Sequence, residues 1–481
     1  MSVTKRVAKN FSWLIVGSGI GGVLNFLAVV YLARVLGAEN FGWMQFAIAI
    51  LAYLTLFVDS GLSLFGIREI AREKTAAAKI VLNIYILRII IGLIVFIAAY
   101  ITVLFMPINT NIKLILLGTF IFVFSKVFSP EWVFQGLEKM EYVAMYKMFF
   151  ASLYMGTILL FVKINTDILP AVYIRSFLGL LASVLFIFIL YKVILRLDFK
   201  DVQPGLWKRY FWLAMPLGAS TIMIQIYNNM DTVMLGIMDK PQVVGYYNAA
   251  YQIYYAGLGI FYVWLATAIP IMSYRIKENY LGAERFINKF SKISLLAVIP
   301  LVFLIALAAP LIIKILYGQE YFPAALALRF LIWNLIIVAI GSIYGALILM
   351  AAGKFNEFFK ATLFGALVNV VLNFVLIPPY SFVGAAVATL IAETLSMIIA
   401  CYYAKKVIPI WISGYLFRAA IFSLLASAVY VLISIWTDSL SIMLQLLIGA
   451  MSFVLTYALI IFIAEREAIL DSVGEVFGAR K

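Results

Sequence analysis

The sequence predicts an all-α, polytopic membrane protein of about fourteen transmembrane helices, arranged as two parallel six-helix bundles plus two extra helices. Three observations predict it. The composition is 65% hydrophobic and 12% charged, with mean hydropathy +1.08, more apolar surface than a soluble core needs. Nearly uncharged runs of about 18 residues or more recur along the whole chain, and each can cross a hydrocarbon core ~30 Å thick. Backbone left bare in lipid is too costly, so each run is expected to be a helix. Finally, one hairpin is used twice. Its first copy is VVYLARVLGAENFGWMQFA, Val29 to Ala47, in which Gly37-Ala38-Glu39-Asn40 forms the turn and Gly42 and Trp43 open the returning helix. A weaker echo starts at Val233, VMLGIMDKPQVVGYYNAA, with Leu235-Gly236 matching Leu36-Gly37 and Gly245-Tyr246 matching Gly42-Trp43. Trp13 and Trp212 precede the two turns at nearly the same distance. Such internal symmetry is common in transporters. Six is even, so the two halves start on the same side and are expected to be parallel, with a cavity between them.

The composition also excludes. There is one cysteine, Cys401, and no histidine. A lone thiol cannot make an intramolecular disulfide framework, and the donor set suits neither zinc nor iron. No cofactor is expected, a coupling cation (Na+ or H+) being the one exception to consider. Lys5, Arg6 and Lys9 precede an apolar run that is too long for a signal peptide and lacks a small-residue cleavage site. It is expected to be retained as the first helix. The net charge of +14 follows from topology. With the N-terminus inside, Lys113, Lys163, Lys240 and Lys314 fall in outer loops. Arg34, Arg88, Lys126, Arg175 and Arg329 fall within helices, and the rest of the 36 Lys and Arg lie inside. This asymmetry predicts a multi-pass plasma (inner) membrane protein with both termini cytoplasmic. Basic cytoplasmic loops suit anionic lipid heads, so the charge is no evidence for nucleic acid.

The elements follow in order. Helix 1, roughly Phe11 to Leu36, carries Gly17 and Gly21 in a spacing that lets another helix approach closely. Helix 2, roughly Phe41 to Leu64, places Gln45, Ala52 and Asp59 on one side. The stretch REIAREKTAAAK reads as a charged loop. Helix 3 carries Arg88; helix 4 carries Lys126 and ends at Ser129-Pro130-Glu131-Trp132. An amphipathic link leads to helix 5, and helix 6 holds Arg175. The basic linker Lys192 to Arg209, with Pro204-Gly205, reads as the boundary between halves. That gives lobes at 1–197 (helices 1–6) and 198–408 (helices 7–12), then 409–481 with helices 13 and 14 and a tail. Helix 7, roughly Tyr210 to Met238, aligns Thr221, Gln225, Asn228 and Thr232, with Asp231 beside them. Helix 8 aligns Asn248, Gln252, Tyr255, Gly259 and Tyr262. Helix 9 contains Pro300 and helix 10 carries Arg329 near its outer end. Helix 11 has Asn369 and Asn373 one turn apart, and helix 12 has Thr389, Glu393 and Ser396 on one face. Helices 13 and 14, roughly Ile412 to Ala464, stand outside the repeat.

A charge within a membrane helix costs ~2.5–3.5 kcal/mol on insertion scales, which makes each a functional candidate. Substrate-cavity candidates are Asn25, Gln45, Arg88, Lys126, Arg175, Gln225, Asn228, Asn248, Gln252, Tyr255, Arg329, Asn369 and Asn373. Arg34 lies about a turn from the boundary and can snorkel. Asp59, Glu131 and Arg88 suit a structural ion pair as well as a cavity. Asp59, Asp231 and Glu393 are the candidates for ion coupling; each is equally able to pair with a base. The stripes on helices 7 and 8 suit sugar hydroxyls, which need many neutral donors and acceptors, and Tyr adds flat apolar faces. Interhelical hydrogen bonding is the other use of the same groups. The Trp residues mostly mark helix ends, where interfacial anchoring explains them.

The elements YLARVLGAENFG, FQGLEKMEY, LMAAGKFNE and PPYSFVGAAVATLIAE occur in this order over the predicted helices. Together they resemble the polysaccharide transporter branch of the multidrug/oligosaccharidyl-lipid/polysaccharide (MOP) flippase superfamily, the Wzx-type oligosaccharide flippases, related to MATE transporters. The resemblance covers roughly Val7 to Ala464. It implies a MATE/MOP-like arrangement of two six-helix bundles about a central cavity, and alternating access. It implies a polyprenyl-(pyro)phosphate-linked oligosaccharide moved from the cytoplasmic to the outer leaflet for surface polysaccharide or glycan assembly. Partners would be that lipid-linked oligosaccharide, membrane lipid, and glycan polymerase or transferase proteins. The family offers no short catalytic motif to carry over.

Three other functions compete. A membrane polymerase or ligase would show a large outer loop with acids, His or Arg; here outer turns are short and His is absent, so no enzyme is expected. A multidrug/cation antiporter of the same superfamily would need prominent acids and fewer bases in its cavity. A peptidoglycan-precursor flippase shares the anionic lipid head. Five intramembrane bases against a few acids favour an anionic substrate.

Overall fold

A computed structural model describes residues 3–278, 280–410 and 412–464, with side chains described for these except 3–11, 14–15, 219–224, 226 and 277. Every regular element among the described residues is helical. Eleven helical segments are long and apolar enough to cross a membrane. Two of them are helix pairs. Val3–Asp59 breaks at Gly37, whose φ of 73° is easy for a residue without Cβ. Phe355–Lys405 breaks at Ser381, just after Pro378 and Pro379. There the chain folds back on itself, since Asn369 Nδ2 donates to Thr389 Oγ1 at 3.2 Å. Pro204–Met238 adds a further helix of 35 residues. Among the described residues the long helices then number fourteen, as expected.

By packing, the chain forms two compact units: 1–248 with 373–382, and 249–372 with 383–481. The first therefore runs past the basic linker that the sequence reads as a boundary. Asn83 explains the attachment. Its fully buried amide accepts from Gln203 N at 2.8 Å and Trp207 Nε1 at 3.0 Å, and donates to the Asp201 carbonyl at 2.9 Å. Satisfying every atom of a buried amide fixes what it touches. The charged stretch after helix 2 also differs from the loop expected. Its first five residues end the helix Leu62–Arg72, which buries Leu62, Phe65, Gly66 and Ile70. Those positions share one helical face, so the charges are left on the other.

Within the first unit the two echoing hairpins meet. A Cβ on Gly42 would strike the Pro241 carbonyl, and a Cβ on Gly245 would strike the Ala38 carbonyl. Each turn thus rests on the glycine that opens the other hairpin's returning helix. The paired glycines of helix 1 do admit a neighbour: Gly17 lies against Ala144, and Gly21 against Lys147, on the helix Met140–Phe161.

In the second unit, Tyr280–Tyr317 contains Pro300 and Pro310. Proline has no N–H, so each strips the carbonyl four residues earlier of its donor. Both carbonyls find replacements. Tyr457 Oη donates to the Leu296 carbonyl at 2.7 Å, and Arg329 Nε donates to the Ala306 carbonyl at 3.3 Å. Ser413–Thr437 and Ile442–Ala464, helices 13 and 14 of the sequence reading, pack on this same helix around Ala308, Tyr430 and Phe453.

Candidate functional site

The first unit contains a cavity of about 280 Å³ lined by charged and polar side chains, among them Asp59, Ser63, Arg88, Lys126, Glu131 and Gln225. Three of its charged side chains come from different helical stretches. Asp59 ends the Val3–Asp59 segment, Arg88 lies three turns into Ala77–Phe105, and Lys126 closes Phe122–Val127. The chain turns at Ser60 and Gly61, both with positive φ, which aims Asp59 and Ser63 at one point. The Arg88 guanidinium donates to both Asp59 and Ser63. It also sits 5.3 Å from the centre of the Trp132 ring, a face that attracts cations. The Arg88 side chain is 3% exposed and Asp59 is 32% exposed. The arginine is therefore the desolvated partner and the carboxylate the solvated one.

Glu131 is paired elsewhere, with Lys147 Nζ at 3.0 Å, and it accepts from Gln135 at 3.3 Å. Both acids on the cavity are thus neutralised. Lys126 differs: it is exposed, lines the cavity, and no described hydrogen bond or ion pair reaches its ammonium. The cavity presents one uncommitted positive charge beside a guanidinium whose Nε is also unpartnered. Such a site suits an anion that can accept from both.

The remaining candidates lie elsewhere. Arg175 is half-buried, 5.5 Å from the Phe122 ring centre, and lies beside Tyr154. The structure does not bring it to the Arg88 cavity. Arg329, a cavity candidate, is the replacement donor at the Pro310 bend. Asn25 and Arg34 are exposed; Gln45 is buried. Along helix 7, Gln225 lines the cavity and accepts from Asn229 through its carbonyl at 3.0 Å. Asn228 is half-buried, and the Thr221 side chain lies outside those described. Thr232 and Asn248 exchange hydrogen bonds at 3.3–3.4 Å, so this end of the two stripes binds helix 7 to helix 8. Gln252 is half-buried and Tyr255 is exposed, stacked on Tyr251 at 5.9 Å. Glu393 is half-buried in the second unit.

A second polar cluster is buried deeper in the first unit. Asp231 is 5% exposed; it accepts from Tyr247 Oη at 2.5 Å and from Asn373 Nδ2 at 2.6 Å. The partners come from the next helix and from a segment 142 residues away. Sequence reading missed Ser63, Trp132 and Tyr247. Ser63 had a signal, standing one turn past Asp59, where i and i+4 residues are neighbours. Trp132 read as an interfacial anchor, and only the fold sets it against Arg88.

The profile of a family described as polysaccharide biosynthesis protein matches residues 7–276, more than half of the chain. A putative O-antigen transporter of Escherichia coli (strain K12) is 27% identical over 399 residues, 80% of this chain and 94% of that one. A probable flippase of Haloferax volcanii, AglR, is 28% identical over 204 residues, 40% of each chain. Among solved structures, the lipid II flippase MurJ in an inward closed conformation superposes with TM-score 0.78 at 16% identity, over 95% of this chain and 99% of that one. An inward-facing multidrug resistance MATE transporter of the MOP superfamily gives 0.67 at 17% identity, over 83% and 98%. At those identities the likeness shows a shared fold.

Proposed function

Because this chain belongs to the polysaccharide biosynthesis protein family, we propose that it is a flippase for a polyprenyl-(pyro)phosphate-linked oligosaccharide. It moves the head group from the cytoplasmic to the outer leaflet, with both termini in the cytoplasm, and two parallel six-helix bundles alternate access to the substrate. The observation that carries this reading is the near full-length likeness to an O-antigen transporter. The cavity chemistry supports it: a free ammonium at Lys126 beside the buried Arg88 suits a phosphate, whereas a cationic drug would meet repulsion there. The direct test reconstitutes the protein in liposomes with a fluorescent polyprenyl-pyrophosphate oligosaccharide and follows quenching from outside. Leaflet exchange above that of empty liposomes is expected. Exchange no faster than in empty liposomes, together with export of a cationic dye, would decide for an antiporter.

In this reading Asp231 is the coupling carboxylate. Held by neutral donors from Tyr247 and Asn373, it can exchange a proton or a sodium ion as those contacts open. Asp231→Asn is expected to leave the protein inserted and to remove the dependence of transport on a sodium or proton gradient. Unchanged gradient dependence in the variant would assign coupling elsewhere.

Arg329 is assigned no part in substrate binding. Arg329→Met should lower stability by ~0.6 kcal/mol, the membrane-protein average for one lost interhelical bond, and leave transport intact. A thermal melt in detergent and a transport assay at matched protein level check both halves. Lost transport at full stability would return Arg329 to the substrate path.

A further inference from the structure

The Arg88–Lys126 cavity answers to a phosphate; a glycan needs partners of another kind. In the second unit, the helix Pro241–Glu278 carries two different exposed sides. Ile260 and Val263 make one, apolar and suited to lipid. Tyr255, Gly259 and Tyr262 make the other, and at i, i+4 and i+7 they lie in one row. Tyrosines on a bare helix side are ordinarily interfacial anchors, but here Glu393 of Phe355–Lys405 stands close enough to Tyr262 for the two to interact electrostatically, as does Tyr255. Glu393 is twelve residues past the break at Ser381, about 18 Å along the helix. A carboxylate at that depth is costly against hydrocarbon, so the side it shares with Tyr262 is turned away from lipid. Gly259 leaves a notch in this side. A Cβ there would have nothing within 4 Å, so neither ring closes over the backbone. The two tyrosines are attached about 10 Å apart along the axis, with the glycine between them. Tyr255 stacks on Tyr251, four residues before it and away from Gly259, which braces the ring and leaves its other face to the notch.

We propose that this notch holds one pyranose ring of the substrate's oligosaccharide, laid against Tyr255, with the Tyr262 hydroxyl and the Glu393 carboxylate as hydrogen-bond partners. The proposal rests on the flippase reading and adds where the glycan is read. A pyranose presents a face of C–H groups and a rim of hydroxyls. Tyrosine meets the first with a flat apolar ring. A carboxylate accepts up to about four hydrogen bonds, so Glu393 can serve sugar hydroxyls beside the contacts it already makes. A bilayer acyl chain would use the ring faces and gain nothing from the carboxylate. A phosphate would be repelled by it. The combination favours a neutral, hydroxyl-rich group with an apolar face, which a sugar ring is. In this reading Glu393 is a sugar-binding residue and has no part in ion coupling.

The test uses the whole protein in nanodiscs and two probes: lipid-linked oligosaccharide extracted from the cells in which the protein works, and the same polyprenyl pyrophosphate without its glycan. The wild type is expected to bind the glycosylated lipid about tenfold more tightly, the equivalent of ~1.4 kcal/mol. Gly259→Leu fills the notch where no atom stands in its way, and leucine suits a helix better than glycine. It should melt no lower than the wild type, keep its affinity for the glycan-free lipid, and lose the preference for the glycosylated one. Tyr255→Leu should lose the preference and Tyr255→Phe keep most of it, an independent check at an exposed position. Glu393→Gln should narrow the preference and leave the gradient dependence of transport unchanged. A tenfold preference retained by Gly259→Leu, or equal binding of the two lipids by the wild type, would overturn the proposal and leave the flippase reading standing. So would displacement of the glycosylated lipid by tetraphenylphosphonium that Gly259→Leu abolishes, which would assign the notch to cations. Lost gradient dependence in Glu393→Gln, with the preference intact, would make Glu393 a coupling group and overturn its role here. Absence of saturable binding of either lipid by the wild type would overturn both readings.

Discussion

Asp59→Asn and Lys126→Gln should fail in opposite ways. Loss of the Asp59 carboxylate leaves Arg88 charged, 3% exposed, and facing only Ser63 and the Trp132 ring. Breaking a buried pair by removing one partner costs ~3–5 kcal/mol when the remaining charge is fully desolvated. Asp59 is itself one-third solvated, so water can reach the site from that side, and about 2 kcal/mol is the better expectation. Arg88→Gln should cost less, because the carboxylate it strands is the solvated member. Lys126→Gln removes an exposed ammonium without a partner and should change stability by less than about 0.5 kcal/mol. Its transport should nevertheless fall well below wild type if that charge meets the phosphate. Thermal melts in detergent, with surface polysaccharide measured at matched protein level, separate the cases. Full transport by Lys126→Gln would remove the anion from this cavity, and a wild-type melting temperature for Asp59→Asn would show that the pair contributes nothing to stability.

The pair was legible in the sequence as far as its residue types: two opposite charges within apolar helices must find partners. What could not be read was the choice of partner. Asp59 and Arg88 are 29 residues apart, and the two helices meet them only because Gly61 turns the chain. The glycine-marked hairpins were legible for a physical reason too, since positive φ and close backbone approach leave few residues that serve. The contact of Arg329 with the Pro310 bend was not legible because proximity to a proline 19 positions earlier is invisible to helical periodicity. An intramembrane arginine has two uses, and only the fold shows that Pro310 leaves a carbonyl within its reach. Leu62–Arg72 was missed as a separate helix because Leu62 falls inside the predicted helix 2 while Arg68, Glu69 and Arg72 cluster at the far end. The cluster of Asp231, Tyr247 and Asn373 joins segments that no local signal connects.

Gly245→Ala is expected to be among the most damaging single methyls in the first unit. The added Cβ would meet the Ala38 carbonyl, which belongs to the backbone of the opposing turn. A side chain could rotate away; this oxygen cannot move without moving the turn at Gly37, where the chain is already in the left-handed region. Gly42→Ala meets the reciprocal obstacle at the Pro241 carbonyl. Overpacking a tight contact costs ~1–3 kcal/mol when neighbours can relax, and here the neighbours are two helix turns, so the upper end or beyond is expected. Gly259→Ala supplies the contrast. It lies on the same helix, Pro241–Glu278, with nothing within 4 Å of the new methyl. Replacing a helical glycine in open space should add ~0.5–1 kcal/mol of stability. The difference between Gly245→Ala and Gly259→Ala therefore isolates the hairpin contact from helix propensity. Melting temperatures of both variants in one detergent decide the matter. If Gly245→Ala melts with Gly259→Ala, the two hairpins do not bear on each other through these glycines.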